Sequence, residues 1–235
     1  MLRRMALKLY GHDTSPYVRR IRVLLAEKGL PFERDTDGWS VATAEVLRIN
    51  PMLRVPAMAD IDPSRHAGQA QYLLDSKIIA AYLYDRYPQA PPPPPPGAMP
   101  LQSTMYHLKH RYDDENALFC IDAATDSAIN VFLLELDGIS REKSAYLQRQ
   151  MERVGSCLSW LDALLAGRPT LHEGSFSYFD IAMVCALEWM LFRQRYPVLD
   201  HPHLAQFLER HASRPTLAAT HPRHAANAGP PRISR

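Results

Sequence analysis

The chain has 235 residues, of which 46% are hydrophobic and 22% charged, and its 27 basic and 25 acidic side chains leave a formal net charge of +2. That is an ordinary soluble globular composition, and so even a balance excludes the strongly basic profile of a nucleic-acid or anionic-membrane binder. No apolar run reads as approaching the ~20 residues of a membrane span, and in the basic stretch Met1 to Lys8 the lysine interrupts any signal-peptide core, so the expected compartment is the cytoplasm.

In chain order, Ala6 to Tyr10 alternates apolar and polar residues and predicts a strand. Ser15-Pro16 opens a helix, with serine as N-cap and proline at the first helical position. Val18, Ile21, Leu24 and Leu25 form its apolar face, Arg19, Arg20 and Arg22 are expected to point elsewhere, and Gly29 and Pro31 stop it. Phe32 to Asp35 predicts a second strand, and a helix over about Thr43 to Ile49 ends at Asn50-Pro51. Val55 to Met58 and Gln71 to Leu74 are short strand candidates, joined by a polar loop from Asp60 to Ala70. Asp75-Ser76 then starts a helix with Ile78, Ile79, Tyr82 and Leu83 as apolar positions. Strands alternating with helices in this half imply a mixed sheet flanked by helices.

Pro91 to Pro96 is a run of six prolines followed by Gly97, an extended and semi-rigid spacer between two structured halves. Beyond it strand signals vanish. Leu101 to Leu136 carries helical periodicity, Arg141 to Ala166 predicts a second long helix, and Phe179 to Arg193, apolar all round, predicts a buried central helix. His203 to Arg210 adds a short helix, and the tail from about Thr220 is expected to fray. The resulting division is residues 5–88 as a mixed α/β domain, 89–100 as linker, 101–222 as an all-helical domain and 223–235 as tail. Cys120, Cys157 and Cys185 lack a C-x-x-C pair and read as small core residues rather than a disulfide framework or zinc site. Histidines 201, 203, 211, 221 and 224 show no ligand spacing, so they read as solvated surface groups and no metal is expected.

Four blocks carry a resemblance to a known family: Ser15-Pro-Tyr-Val-Arg-Arg-Ile-Arg-Val-Leu-Leu-Ala-Glu-Lys-Gly29, Asn50-Pro-Met-Leu-Arg-Val-Pro-Ala-Met58, Leu74-Asp-Ser-Lys-Ile-Ile-Ala-Ala-Tyr-Leu83 and Ser177-Tyr-Phe-Asp-Ile-Ala182. In this order and spacing the chain resembles the cytosolic glutathione transferases, in particular bacterial, serine-type members, from about residue 6 to 222. The resemblance implies a thioredoxin-like domain with a four-stranded mixed sheet, an all-helical bundle domain, glutathione as co-substrate, a small hydrophobic electrophile and a homodimer engaged in detoxification.

Carried onto this chain, the resemblance makes Ser15 the hydroxyl that contacts the glutathione sulfur, with Tyr10 as rival. The chemistry is sensible in itself: a thiol of pKa ~8.5 is mostly protonated at neutral pH, and a hydroxyl donor at a helix N-terminus favours its thiolate. Read locally, Ser15 could equally be a plain N-cap. Ser15-Pro-Tyr-Val18 also resembles a glutaredoxin C-P-Y-C site with both thiols replaced, which argues against thiol–disulfide exchange. Val55-Pro56 resembles the family turn in which a cis proline exposes backbone groups to the cysteinyl part of glutathione. Arg54 would meet the glycyl carboxylate or be surface charge, and Asp75 and Ser76 would hold the γ-glutamyl end or merely cap their helix. His12, Tyr106, His110 and Tyr112 are candidate lining residues of the electrophile pocket. Ser177 and Asp180 resemble a capping box, with Phe176 and Ile181 as candidate staple residues and a structural role. An alternative reading keeps the fold but not the catalysis: a glutathione transferase-like binding or stress-associated interaction protein.

Overall fold

The computed structural model describes residues 6–36, 49–62, 69–106, 110–172 and 174–225. Strand β1 (Leu7–Tyr10) is central because its side chains are almost all apolar: Leu7, Leu9 and Tyr10 are buried, and only Lys8 reaches partly outward. Helix α1 (Pro16–Glu27) supplies the crossover that a parallel neighbour requires, and β2 (Phe32–Asp35) then pairs parallel to β1 with Leu7 opposite Phe32. Strand β3 (Ala57–Asp60) pairs antiparallel to the other side of β1, and β4 (Gln71–Leu73) antiparallel to β3, giving the order β2-β1-β3-β4. This is the four-stranded mixed sheet expected. Strand β3 starts two residues later than expected, at Ala57, because Pro56 has no N–H to give to a ladder. Helix α2 (Ser76–Arg86) follows β4 and packs on α1. Of the helix expected over Thr43 to Ile49 and the loop from Asp60 to Ala70, residues 43–48 and 63–68 lie outside the described residues.

The chain divides into two compact units, Met1–Met105 with Pro215–Arg235, and Tyr106–Arg214. The return of the chain to the first unit corrects the expectation for α1. Arg19 and Arg20 do not point into solvent; they are 1% and 2% exposed. Arg19 donates from Nη2 to the Leu217 carbonyl at 3.0 Å and from Nε to the Thr220 hydroxyl at 3.3 Å, tying down α7 (Pro215–Ala219). Arg20 lies 4.5 Å over the Tyr17 ring. A buried guanidinium is tolerated when carbonyl and hydroxyl acceptors meet it, and the Thr216 hydroxyl adds a bond to Glu27. The tail expected to fray from Thr220 therefore begins with bonded residues and a 3-10 turn at Pro222–His224; residues 226–235 lie outside the description. In the same unit, Pro92 of the proline run sits against Gly29, which ends α1 at φ +63° and has no room for a side chain.

The second unit is helical. Its first helix, α3 (Arg111–Leu136), starts ten residues later than the periodicity from Leu101 suggests. The polar Gln102-Ser103-Thr104 segment turns instead, its glutamine donating to the Thr104 carbonyl, and Asp113 and Asp114 suit the positive end of α3. The helix expected from Arg141 splits into a 3-10 turn at Arg141–Lys143 and α4 (Ala145–Leu164), because Ser140 and Ser144 each cap a separate start. Across the α3–α4 contact the Ser127 hydroxyl donates to Gln150 at 2.9 Å. Helix α5 (Tyr178–Phe192) is buried on nearly all sides, as its uniform apolarity predicts, and α6 (Pro202–His211) completes the unit. Among the described helices, α3 alone has the length and apolarity that could suit a membrane span, which qualifies the expectation of none; half of that apolar stretch is packed inside the unit.

The capping box at the start of α5 is complete. Ser177 N–H donates to Asp180 at 2.7 Å, Asp180 N–H donates to the serine hydroxyl at 3.2 Å, and the other aspartate oxygen accepts the Leu171 N–H at 2.8 Å. Asp180 is fully buried, and burial pushes its carboxyl above the usual range against the pull of these bonds. Two sequence expectations fail nearby. His211 is not a solvated surface group: it is 6% exposed between Phe176 and Phe207, bonded to the Pro169 carbonyl at 3.1 Å, and burial lowers its pKa. Cys120 and Cys157 are half-buried, and burial pushes both thiols up, whereas Cys185 is a core residue as expected.

Candidate functional site

In the first unit the loop Gly11 to Ser15 joins β1 to α1, and charge holds it in place. Asp13 pairs with Arg22 at 3.0 Å and with Arg34, which also donates to the Gly11 carbonyl at 3.1 Å. Gly11 N–H is bonded to the Asp35 carbonyl at 2.8 Å. A Cβ at Gly11, whose φ is +133°, would stand 2.5 Å from Val18 Cγ2 and 2.9 Å from Val55 Cβ. The missing side chain thus lets the start of α1 and the Val55 turn close on one another. Ser15 ends the loop as the N-cap of α1, 6% exposed, and its Oγ accepts the Val18 N–H at 3.3 Å. No other bond reaches Oγ among the described residues, so the serine proton is uncommitted beside the positive end of a twelve-residue helix.

The Val55–Pro56 bond is cis. Among the described residues neither the N–H nor the C=O of half-buried Val55 has a partner. Asn50, fully buried, shapes this turn. Its amide donates to the Arg54 carbonyl at 2.6 Å and to the Leu74 carbonyl at 3.5 Å, while its oxygen accepts the Met52 N–H at 3.0 Å. One side chain therefore links the Arg54–Pro56 segment to the residue before Asp75. Asp75 caps α2, accepting the Lys77 N–H at 2.7 Å with one oxygen, and remains exposed. Ser76, the first residue of α2, is 1% exposed, and its Oγ has no partner among the described residues. Arg54 is exposed.

Tyr10 sits differently from Ser15. Its ring is 1% exposed in a cluster with Ile49, Ala57 and Ala59, under the Lys8 ammonium at 4.7 Å. His12 is half-buried, its Nδ1 2.9 Å from the Thr14 hydroxyl.

The remaining candidates belong to the helical unit. Tyr106 packs on Phe179 with ring centroids 5.8 Å apart and lies under Arg111, and burial together with a bond to Glu115 pushes its phenol up to about 12. His110 lies 3.3 Å from Asp113 and lines a cleft of about 420 Å³. Tyr112 is 81% exposed and does not line that cleft. The cleft's inner wall holds an ion pair that sequence reading missed, between His172 Nε2 and the fully buried carboxylate of Asp114. Burial works against the imidazolium, but the bond to Asp114 and the charges of Asp114 and Asp180 outweigh it, so the His172 pKa is raised. Gly11, Asn50, Asp13 and Arg34 were missed as well; a glycine directly after a predicted strand was the one available signal. Among the described residues, no group of three or more His, Cys, Asp or Glu could hold a metal ion.

Comparison with known proteins bears on both units. Residues 14–86 match the model of the glutathione S-transferase N-terminal domain, and residues 144–210 that of the C-terminal domain. The GST-like protein YibF of Escherichia coli K12 is 30% identical over 92% of this chain and 98% of its own. A glutathione S-transferase of Methylobacterium radiotolerans, solved with glutathione sulfonate, superposes with a TM-score of 0.73 at 27% identity, over 92% of this chain and 94% of that one. One of Methylobacillus flagellatus, solved with glutathione bound, gives 0.70 at 26% identity, over 91% and 98%.

Proposed function

Because this chain belongs to the glutathione S-transferase family, we propose that it is a serine-type glutathione transferase that binds glutathione on its first unit and activates the thiol through Ser15. The observation that carries the reading is the Ser15 hydroxyl: buried, fixed as a helix N-cap, already accepting one bond and left with a proton to donate. Glutathione bound in one relative of similar architecture, and glutathione sulfonate in another, support the ligand.

On this reading Val55 pairs its outward N–H and C=O with the cysteinyl part of glutathione, in the manner of an added strand. The γ-glutamyl carboxylate meets the N-terminus of α2 at Ser76, and the free oxygen of Asp75 faces the ammonium. Arg54 meets the glycyl carboxylate. The thiol proton leaves to solvent, and the thiolate stays as acceptor of the Ser15 O–H. Serine acts only as donor, since its own pKa is too high for a base. Lowering a thiol pKa by ~2 units needs about 2.7 kcal/mol of preferential thiolate binding, within reach of one charge-assisted bond and the helix end. The sulfur lone pair then forms a C–S bond to a small hydrophobic electrophile, and the displaced group leaves with the bond's electrons.

The protein is further read as a cytoplasmic homodimer with a detoxifying role. Exposed Phe119, Tyr146 and Trp160 on α3 and α4 are the kind of apolar surface a second copy covers. Turnover of an activated aryl halide with glutathione tests the enzyme reading: Ser15→Ala is expected to lose about 25-fold in kcat at neutral pH, the fall in thiolate fraction when a thiol pKa of about 6.5 returns to about 8.5, with its circular dichroism intact. Unchanged kcat would remove Ser15 from the mechanism.

A further inference from the structure

Two of the three cysteines face one another across α3 and α4, the most extensive helix contact of the second unit. Ser127 of α3 meets Gln150 of α4 at 2.9 Å, and Cys120 and Cys157 each stand seven residues further from the turn that joins the two helices. Seven residues bring a helix back to nearly the same face, about 20° from where it began, and helices joined by so short a connection run antiparallel. The Ser127–Gln150 register therefore carries Cys120 opposite Cys157. Each thiol also perturbs the titration of the other.

Helix axes pack ~8–10 Å apart and carry their Cα atoms ~2.3 Å off the axis, so facing residues reach the ~4.4–6.8 Å separation that a disulfide spans. Both cysteines are half-buried, open enough for a small oxidant, whereas Cys185 is sealed in the core. Their surroundings are unequal. Arg153, one turn before Cys157, donates to Gln150 at 2.9 Å and to the Ser127 hydroxyl at 3.4 Å, and its charge favours the Cys157 thiolate against burial. Burial and the neighbouring thiol both work against a thiolate at Cys120. Cys157 is thus the nucleophile of the pair and Cys120 the resolving thiol.

We propose that Cys120 and Cys157 form a reversible disulfide that clamps α3 to α4 when the chain meets hydrogen peroxide. The Cys157 thiolate sulfur attacks one peroxide oxygen, the O–O bond breaks, and the departing hydroxide takes up a proton, which leaves Cys157 as a sulfenic acid. The Cys120 thiolate then attacks that sulfur, the S–O bond breaks, and a second hydroxide is protonated to water. The paired thiols have given two electrons and two protons to one peroxide, and both of its oxygens end as water. A reducing dithiol returns the pair to its starting state by exchange. The clamp lies one turn from Ala117 on α3 and two turns from Leu164 on α4, both of which line the cleft.

Treating the full chain with hydrogen peroxide, blocking the remaining free thiols and mapping its peptides by mass spectrometry tests this. The expected result is a Cys120–Cys157 cross-link within one chain, ~2 Da lighter than the reduced form and lost on treatment with dithiothreitol. The oxidised chain should melt about 5 °C or more above the reduced one. Cys120→Ser should hold Cys157 as a sulfenic acid that dimedone captures. In Cys157→Ser, the Cys120 thiol should oxidise roughly fivefold or more slowly than Cys157 does in the parent. Absence of the cross-link, a link between two chains or to Cys185, an oxidised form with an unraised midpoint, or a sulfenic acid captured at Cys120 in place of Cys157 would each overturn the proposal.

Discussion

The two units place their polar groups by opposite means. Around Ser15 the groups proposed to meet glutathione are a hydroxyl, the backbone of Val55 and a helix start, and charged side chains serve as scaffolding: Asp13 with Arg22 and Arg34 fixes the loop, and Asn50 fixes the turn. In the helical cleft the charged side chains themselves, Asp114 and His172, form the wall. A site made from backbone is sensitive to anything that moves the chain and indifferent to most side-chain exchanges. A site made from a buried ion pair is sensitive to pH and to single truncations.

Breaking the scaffold of each region sharpens this contrast. The largest effect is expected at Asp180→Ala, which removes the acceptor of three bonds and leaves the Ser177 and Leu171 N–H groups unpaired in the interior. A loss of about 3 kcal/mol follows from a lost cap plus buried unsatisfied donors, readable as a lower midpoint in denaturant; a loss under about 1 kcal/mol would mean that the capping box is redundant. Next comes Gly11→Ala. With Val18 and Val55 in the way and a positive φ, the β1–α1 loop must move, costing about 2 kcal/mol and weakening glutathione binding more than tenfold by calorimetry. Stability lost without affinity lost would show that Val55 does not contact the ligand. Asn50→Ala removes the tie between the Arg54 and Leu74 carbonyls, with about 1 to 2 kcal/mol lost and a rise in KM for glutathione that exceeds the fall in kcat.

The smallest effect concerns pH. The His172 pKa is raised in the folded chain by Asp114 and Asp180, against burial and Arg168. The folded state therefore binds this proton more tightly than the unfolded one. Its stabilisation is complete below the ordinary histidine pKa of ~6.5 and is lost as pH rises through the higher folded value. His172→Gln should remove that decline from a plot of stability against pH between about 6 and 8, while His211, whose pKa is lowered by burial, keeps an opposite dependence in both proteins. An unchanged decline in the variant would detach it from His172.

How far the amino-acid order revealed all this follows the same division. Strand alternation, Ser15-Pro16, Asp75-Ser76 and Ser177-x-x-Asp180 are local signals, and the structure realises them within a residue or two because caps and turns depend on neighbours in the chain. Arg19 illustrates what local reading misses: on a helix wheel it belongs to the polar face, but a segment some two hundred residues later arrives with carbonyl and hydroxyl acceptors and makes that face an interior. His172 and Asp114 were invisible for the same reason, since they are 58 residues apart and neither stands in a motif. The start of α3 was misjudged because apolar periodicity continues through Leu101 and Met105, two residues that are buried without being helical.

The central claim, that Ser15 holds glutathione as its thiolate, is tested most directly by ultraviolet titration of the thiolate in bound glutathione, in the parent and in Ser15→Ala. A thiol pKa about 2 units below its free value, returning toward ~8.5 in the variant, is the result expected. A bound thiol with its free pKa in the parent, or a depressed pKa that survives loss of the hydroxyl, would contradict it.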